Sequence, residues 1–316
     1  MLRPIHRSRL LAAAFLLAAG CQAVPAPTPR SAATTDSPAV SSPPLGPSVT
    51  DSSPWASAGA TSTFIYSSGE GDHQDLFRVG QDGQRPVRLT DGPEKEFDGD
   101  LSPDGKAVVY RRNPTSGRDD ADIWVMGIDG SRKRNLTNAP EQSNWSPVWT
   151  PDGRIAFASA RERSLLQLWT MAADGSDLRK VADGWCEYAD ASPEGRQFVC
   201  SGPPVGGSSY ELWIVDVTTA TRRQLTFSRE TDFGAAWSPD GQWIAFARDL
   251  GERWSLRVIR PDGTDEREIA IERVFPAWSP DGRLAWSGLG GINVANADGS
   301  ARMTLPFAGD FISWGP

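Results

Sequence analysis

Carboxylates are the reactive side chains that this sequence spaces most regularly. Asp104, Asp152, Asp240 and Asp281 each follow a Ser-Pro or Thr-Pro pair and precede a Gly. Pro presets φ and Gly accepts a left-handed conformation, so such a run folds the chain back on itself; these four aspartates read as turn residues. Asp98, Asp100, Asp190 and Asp310 have a different setting, on or beside short strand-like runs. Carboxylate oxygens are the ligands Ca²⁺ prefers, which makes these four a candidate cation site. Two such groups at the right separation would also suit a hydrolase or lyase. Other chemistry has little to work with. His6 and His73 are the only histidines, too few for a multi-His metal site or most His-based catalysis. No G-x-S-x-G, H-E-x-x-H, Walker A or S-x-x-K motif occurs. The expectation is a protein without enzymatic activity, metal or cofactor.

Charge narrows the partners. The chain carries 32 Lys plus Arg against 40 Asp plus Glu, a formal net charge of −8. Without its first 20 residues, which hold three Arg and no acid, it becomes −11. Such a surface repels phosphate backbones and anionic headgroups, which argues against nucleic acid as a partner. With 23% charged and 39% apolar residues the composition is that of a folded, globular chain. The expected state is a monomer.

The elements that must position the acids come from a repeat. Ser/Thr-Pro-Asp/Glu-Gly begins at Ser102, Thr150, Ser192, Ser238 and Ser279, in steps of 48, 42, 46 and 41 residues. Trp149, Trp237 and Trp278 directly precede three copies, and Trp314-Gly-Pro316 reads as a sixth that stops at its turn. Each repeat holds four strand-like runs: a ends at the Trp position, b reads as Ile244-Ala-Phe246, c as Leu212-Trp-Ile-Val215, and d as Arg223-Gln-Leu-Thr226. Alternating apolar residues on four short runs predict one small antiparallel sheet per repeat. A sheet of about 42 residues cannot cover both of its faces, whereas a ring of them can. The prediction is an all-β, six-bladed β-propeller over 62–316. Its C-terminal run 310–314 should complete the N-terminal blade beside 63–67.

The repeats W-S-P-D-G, I-A-F and L-T resemble those of the six-bladed propellers of the TolB family, over about 255 of the 316 residues. The resemblance implies the fold and leaves the function open, because propellers host many activities. The N-terminus has a resemblance of its own. Arg3, Arg7 and Arg9 precede a ten-residue apolar run, Leu10 to Ala19, too short to span a bilayer of about 30 Å. Leu17-Ala-Ala-Gly20 followed by Cys21 resembles the lipobox of bacterial lipoproteins. That implies cleavage of 1–20, lipidation of Cys21 and anchoring to a membrane through the lipid. Residues 21–61, rich in Pro, Ser, Thr and Ala, read as a disordered tether.

On a ring of this kind the a–b and c–d turns share one rim, and the b–c and d–a loops share the other. The first set is near-uniform in sequence and the second varies. Function usually sits on variable loops held by a rigid scaffold. Arg112, Arg118, Asp119 and Asp120 in loop 112–121, with Trp185, Tyr210 and Trp254, are therefore candidate partner contacts. Together these features point to a lipid-anchored interaction module of the cell envelope, facing the periplasm or exterior, whose partner is an envelope protein or a peptidoglycan-associated one. The alternative is a carbohydrate, small-ligand or Ca²⁺ receptor. Cys186 and Cys200 lie on strands a and b of one repeat, either side of Ser192-Pro-Glu-Gly195. Two of three registers compatible with that turn put both sulfurs on one face. A disulfide or two buried thiols would satisfy the pattern.

Overall fold

The computed structural model describes residues 62–69, 73–114, 121–139, 142–162, 165–272, 275–288, 290–305, 307 and 309–315. The leader, Cys21, the tether, Arg118, Asp119 and Asp120 lie outside the described residues. Among those described there is no helix. The strands are β1 (Thr63–Ser68), β2 (Asp75–Gly80) and β3 (Val87–Arg88); β4 (Lys95–Leu101), β5 (Ala107–Asn113), β6 (Asp122–Gly127) and β7 (Arg134–Asn135); β8 (Asn144–Trp149), β9 (Ile155–Ser159), β10 (Gln167–Met171) and β11 (Arg179–Lys180). They continue as β12 (Glu187–Ala191), β13 (Gln197–Gly202), β14 (Glu211–Asp216) and β15 (Thr221–Gln224); β16 (Thr231–Trp237), β17 (Ile244–Asp249), β18 (Trp254–Ile259) and β19 (Arg267–Ile271); β20 (Pro276–Trp278), β21 (Leu284–Gly288), β22 (Gly291–Ala295) and β23 (Met303–Leu305); and β24 (Asp310–Gly315). They form six antiparallel sheets of four strands, the first ordered β24-β1-β2-β3.

The last strand closes the ring beside the first, with Phe64 opposite Trp314 and Ile65 opposite Ser313. Their rings stack at 4.4 Å. The buried apolar residues fall into six clusters, one at each junction between neighbouring blades. Phe198 and Cys200 of β13 pack toward the third blade, while Val199 between them packs toward the fifth. Both faces of each sheet are thus covered, which explains runs such as Val108-Val-Tyr110 and Ile155-Ala-Phe157 with no polar alternation. Each fully buried large side chain stabilises this arrangement by about 1.5–3 kcal/mol.

Local bonds fix the repeat motifs. In the second blade the Gly105 N–H donates to the Ser102 carbonyl at 2.8 Å, with Gly105 at φ 69°. The Ser102 hydroxyl donates to Asp104 at 2.7 Å and accepts the Ala107 N–H at 2.9 Å. The turns at Thr150, Ser238 and Ser279 repeat the hydroxyl–carboxylate bond with Asp152, Asp240 and Asp281. That bond to Ser102 is the main reason Asp104 is held below its ordinary pKa. The turn aspartates are therefore occupied in shaping the hairpins.

The Leu-Thr motif locks strand c to strand d. Thr226 donates to Glu211 at 2.7 Å and accepts the Leu212 N–H at 2.9 Å. Thr137 does the same for Asp122 and Ile123, at 2.6 and 3.1 Å. The innermost strands carry a feature that the motifs did not reveal. Register shifts interrupt β4, β8, β12 and β16, and Asp98, Ser146, Tyr188 and Gly234 take φ of 50°, 48°, 48° and 61° there. A bulge with one left-handed residue thus recurs two positions before the channel-facing residue.

Candidate functional site

The inner strands of all six blades surround an axial cavity of about 490 Å³. It runs from the bulge residues Asp98, Ser146 and Tyr188 to the turn prolines Pro103, Pro151, Pro193, Pro239 and Pro280. The residue just before the Trp position of each inner strand is, blade by blade, Asp100, Val148, Asp190, Ala236, Ala277 and Ser313. Two of the six are carboxylates. Asp100 accepts the Trp149 N–H of the next blade at 2.7 Å and the Ser313 hydroxyl at 2.6 Å. Asp190 accepts the Trp237 N–H of the next blade at 2.6 Å. Both keep some surface toward the cavity but lie deep below the outer surface. Burial pushes Asp100 up to about 6, against the bonds from Ser313 and Trp149. Burial likewise pushes Asp190 up to about 7, and the charge of Asp100 adds to that rise.

Asp98 has a cationic neighbour. Arg111 approaches it at 3.5 Å as an ion pair, with both side chains 7% exposed. The guanidinium lies over the rings of Phe97 and Trp145, at 4.7 and 4.5 Å from their centres. Burial raises the Asp98 carboxyl, while Arg111 and the Ser146 N–H act in the opposite direction. Asp310 is placed elsewhere. It opens β24, four residues before Trp314, where its carbonyl accepts the Ser67 hydroxyl at 2.9 Å, and it does not line the cavity. Asp100 stands next to the Trp position of its repeat, so the two acids occupy different levels of the ring. Among the described residues no three His, Cys, Asp or Glu side chains come together as a metal-ligating group.

The opposite rim brings together part of the predicted contact set. Trp185 and Tyr210 meet edge to face at 6.1 Å. Both donate to Glu187, the indole N–H at 2.6 Å and the phenol at 3.4 Å. Trp254 stands apart from this pair, packed edge to face on Phe233 at 4.6 Å. Phe233 in turn approaches Phe275 at 5.7 Å and Tyr188 at 6.4 Å. Arg112 is committed within its own blade, to Glu94 at 2.6 Å, Glu96 at 3.4 Å and the ring of Trp124 at 4.6 Å.

Two rim residues escaped the sequence reading. Val205 is 97% exposed in the loop between β13 and β14, and Phe227 is 79% exposed in the loop between β15 and β16. Each loop is tied at its base to the other's strand: the Asp232 N–H of β16 donates to the Tyr210 carbonyl at 2.8 Å, and the Ser228 N–H to Glu211 of β14 at 3.2 Å. A lone Val between Pro203-Pro204 and Gly206-Gly207, and a Phe directly after Leu-Thr, were the available signals. Across the same blade Cys186 and Cys200 are joined by a disulfide, with their Cα atoms 5.3 Å apart. Glu187 pairs with Ser201, so the two cysteines sit diagonally on one face.

The closed ring defines a six-bladed β-propeller with an acidic axial cavity. Comparison with known proteins agrees: the PD40 family, the TolB beta propeller domain, matches residues 100–282, and the chain belongs to it. TolB from Acinetobacter baumannii superposes with a TM-score of 0.69 at 18% identity, over 80% of this chain and 66% of that one. A putative TolB from Agrobacterium tumefaciens gives a TM-score of 0.62 at 18% identity, over 78% and 88%. Among curated relatives, an uncharacterized peptidase YuxL of Bacillus subtilis (strain 168) is 26% identical over 196 residues, 49% of this chain and 30% of its own length. Dipeptidyl-peptidase 5 of Trichophyton equinum is 27% identical over 219 residues, 61% of this chain and 29% of its own. The chain thus matches less than a third of each of these two peptidases.

Proposed function

We propose that this propeller is a non-enzymatic interaction module of the bacterial cell envelope, lipid-anchored through Cys21 and presenting its variable rim to an envelope protein or peptidoglycan-associated partner. The observation that carries the reading is the exposure of Val205 and Phe227 on two loops whose bases are bonded to each other's strands. Exposed apolar side chains on a fixed support mark contact surfaces, and aromatic anchors dominate their energetics. The Trp185–Tyr210–Glu187 group on the same rim supplies a preordered aromatic and polar surround. The net acidity of the chain favours a partner with basic or neutral contacts over nucleic acid. For the anchor, the support is the Leu17-Ala-Ala-Gly-Cys21 sequence, because two or three acyl chains hold a protein on a membrane where one does not.

A photo-crosslinking residue placed at 205 or 227 in intact cells should form an adduct with an envelope component, and the same residue at 152 or 240 on the turn rim should not. Adducts only from 152 and 240 would overturn the assignment of the rim. The Cys21→Ala protein should leave the membrane fraction; unchanged fractionation would overturn the anchor.

A further inference from the structure

From the make-up of the axial cavity we infer that it is a binding site for a small organic cation, a primary alkylammonium with a short carbon chain, best of all a diamine. Three carboxylates line it, and the described lining residues include no Lys, Arg or His. Asp98 is answered by Arg111, whereas Asp100 and Asp190 receive only neutral donors. Two uncompensated acids therefore stand on blades separated by one other, and a dication would meet both.

A second observation points to a ligand independently of the charges. Ser146 is 5% exposed, lines the same cavity, and its hydroxyl has no hydrogen-bond partner. Asp98, by contrast, is held by Arg111 at 3.5 Å and by the Ser146 N–H. Buried polar atoms of this kind normally have partners. An ammonium group brings three donors and no acceptor, which suits the Ser146 hydroxyl and the two carboxylates that lack a cationic neighbour.

The remainder of the wall selects for carbon. Val148, Ala236, Ala277 and Ile312 present apolar surface between the acids. A bare divalent ion wants roughly six to eight oxygens close together, and no three metal-ligating side chains converge among the described residues. A cavity of about 490 Å³ has room for a chain of several carbons. Because burial raises Asp100 and Asp190 to about 6 and about 7, a cation gains affinity as these acids ionise. This site lies on the axis toward the turn prolines, so it neither requires nor excludes the partner surface on the opposite rim.

The test titrates the full chain in detergent with 1,4-diaminobutane, n-butylamine, 1-butanol and CaCl₂. The fluorescence of Trp149, Trp237 and Trp314 in the cavity wall is the readout. The diamine should saturate the signal, n-butylamine should bind more weakly, and 1-butanol should give no saturable change. Diamine affinity should rise at least tenfold from pH 5 to pH 8 and fall at least tenfold in Asp190→Asn. Equal responses to butylamine and butanol, or saturation by Ca²⁺ with none by either amine, would overturn the inference. So would unaltered diamine binding by a folded Asp190→Asn protein. Should that variant fail to fold, the comparison of amine with alcohol on the unmutated chain decides by itself.

Discussion

The ring holds two families of aspartate whose environments are opposite. In the turns, Asp104, Asp152, Asp240 and Asp281 face solvent and take a hydrogen bond from the Ser or Thr two residues before them. In the cavity, Asp100 and Asp190 are deep and accept backbone N–H groups from the neighbouring blade. The first arrangement shapes one hairpin; the second ties two blades together. Regular recurrence marks the structural set, and the functional candidates are the positions where the repeat is broken by a charge.

The turn of the fourth blade sharpens this comparison. It carries Glu194 in place of Asp, and the Ser192 hydroxyl is left accepting the Gln197 N–H at 3.1 Å. The disulfide staples that same hairpin. Replacing both cysteines by serine should cost about 3 kcal/mol in urea unfolding, the effect expected for closing a loop of about 15 residues. Adding Glu194→Asp to that variant should recover part of the loss, by restoring the cap the other turns possess. No recovery would show that the staple and the cap are unrelated.

Next in size is Asp100→Ala, which strands the Trp149 N–H and the Ser313 hydroxyl without their acceptor. Unsatisfied buried groups of this kind cost about 1–3 kcal/mol each, so a loss of about 2 kcal/mol is expected. Asp100→Asn should lose less, because its carbonyl oxygen still accepts one bond. In the turn family, Ser238→Ala removes the bridge to Asp240 and the Trp243 N–H, and should cost about 1 kcal/mol. A larger loss for Ser238→Ala than for Asp100→Ala would invert the ranking of the two families.

A separate effect is on the pH profile. Asp100 and Asp190 rise from 3.8 to about 6 and about 7 on folding, so the folded chain binds more protons than the unfolded one within that window. Their contribution is complete below the unfolded value and is lost as pH rises through the folded values. The turn acid Asp104, held low, contributes above 3.8 and loses that contribution as pH falls. Thermal unfolding between pH 5 and 8 should therefore show a decline that is shallower in Asp190→Asn. Parallel profiles would mean that Asp190 does not titrate in this range.

The fold was legible because its signals are redundant. The Ser-Pro-Asp-Gly turns, the Ile-Ala-Phe runs and the Leu-Thr endings report one sheet five or six times over, and the closure of 310–314 on 63–67 follows from counting strands. The site was less legible. Asp98, Asp100 and Asp190 could be placed on inner strands, but not the bulges that set their levels, since Ser146 and Tyr188 carry no sequence mark of a left-handed backbone. Asp310 was grouped with them for that reason. Arg112 was read as a candidate partner contact because its ion-pair partners, Glu96 on the adjacent strand and Glu94 just before it, are visible only in the register. Trp185 and Tyr210 were singled out by residue type, whereas Val205 and Phe227 are ordinary residues made notable by exposure alone.

Closure of the circle by β24 has a consequence for how the protein is made. The hydroxyl of Ser67 bonds to a residue 243 positions later. Contacts so distant in the chain are slow to form. While the ribosome adds the intervening residues, the backbone edge of Thr63–Ser68 has no native partner, and a bare strand edge invites pairing with other chains. That edge of β1 stays open to such pairing until β24 has been made.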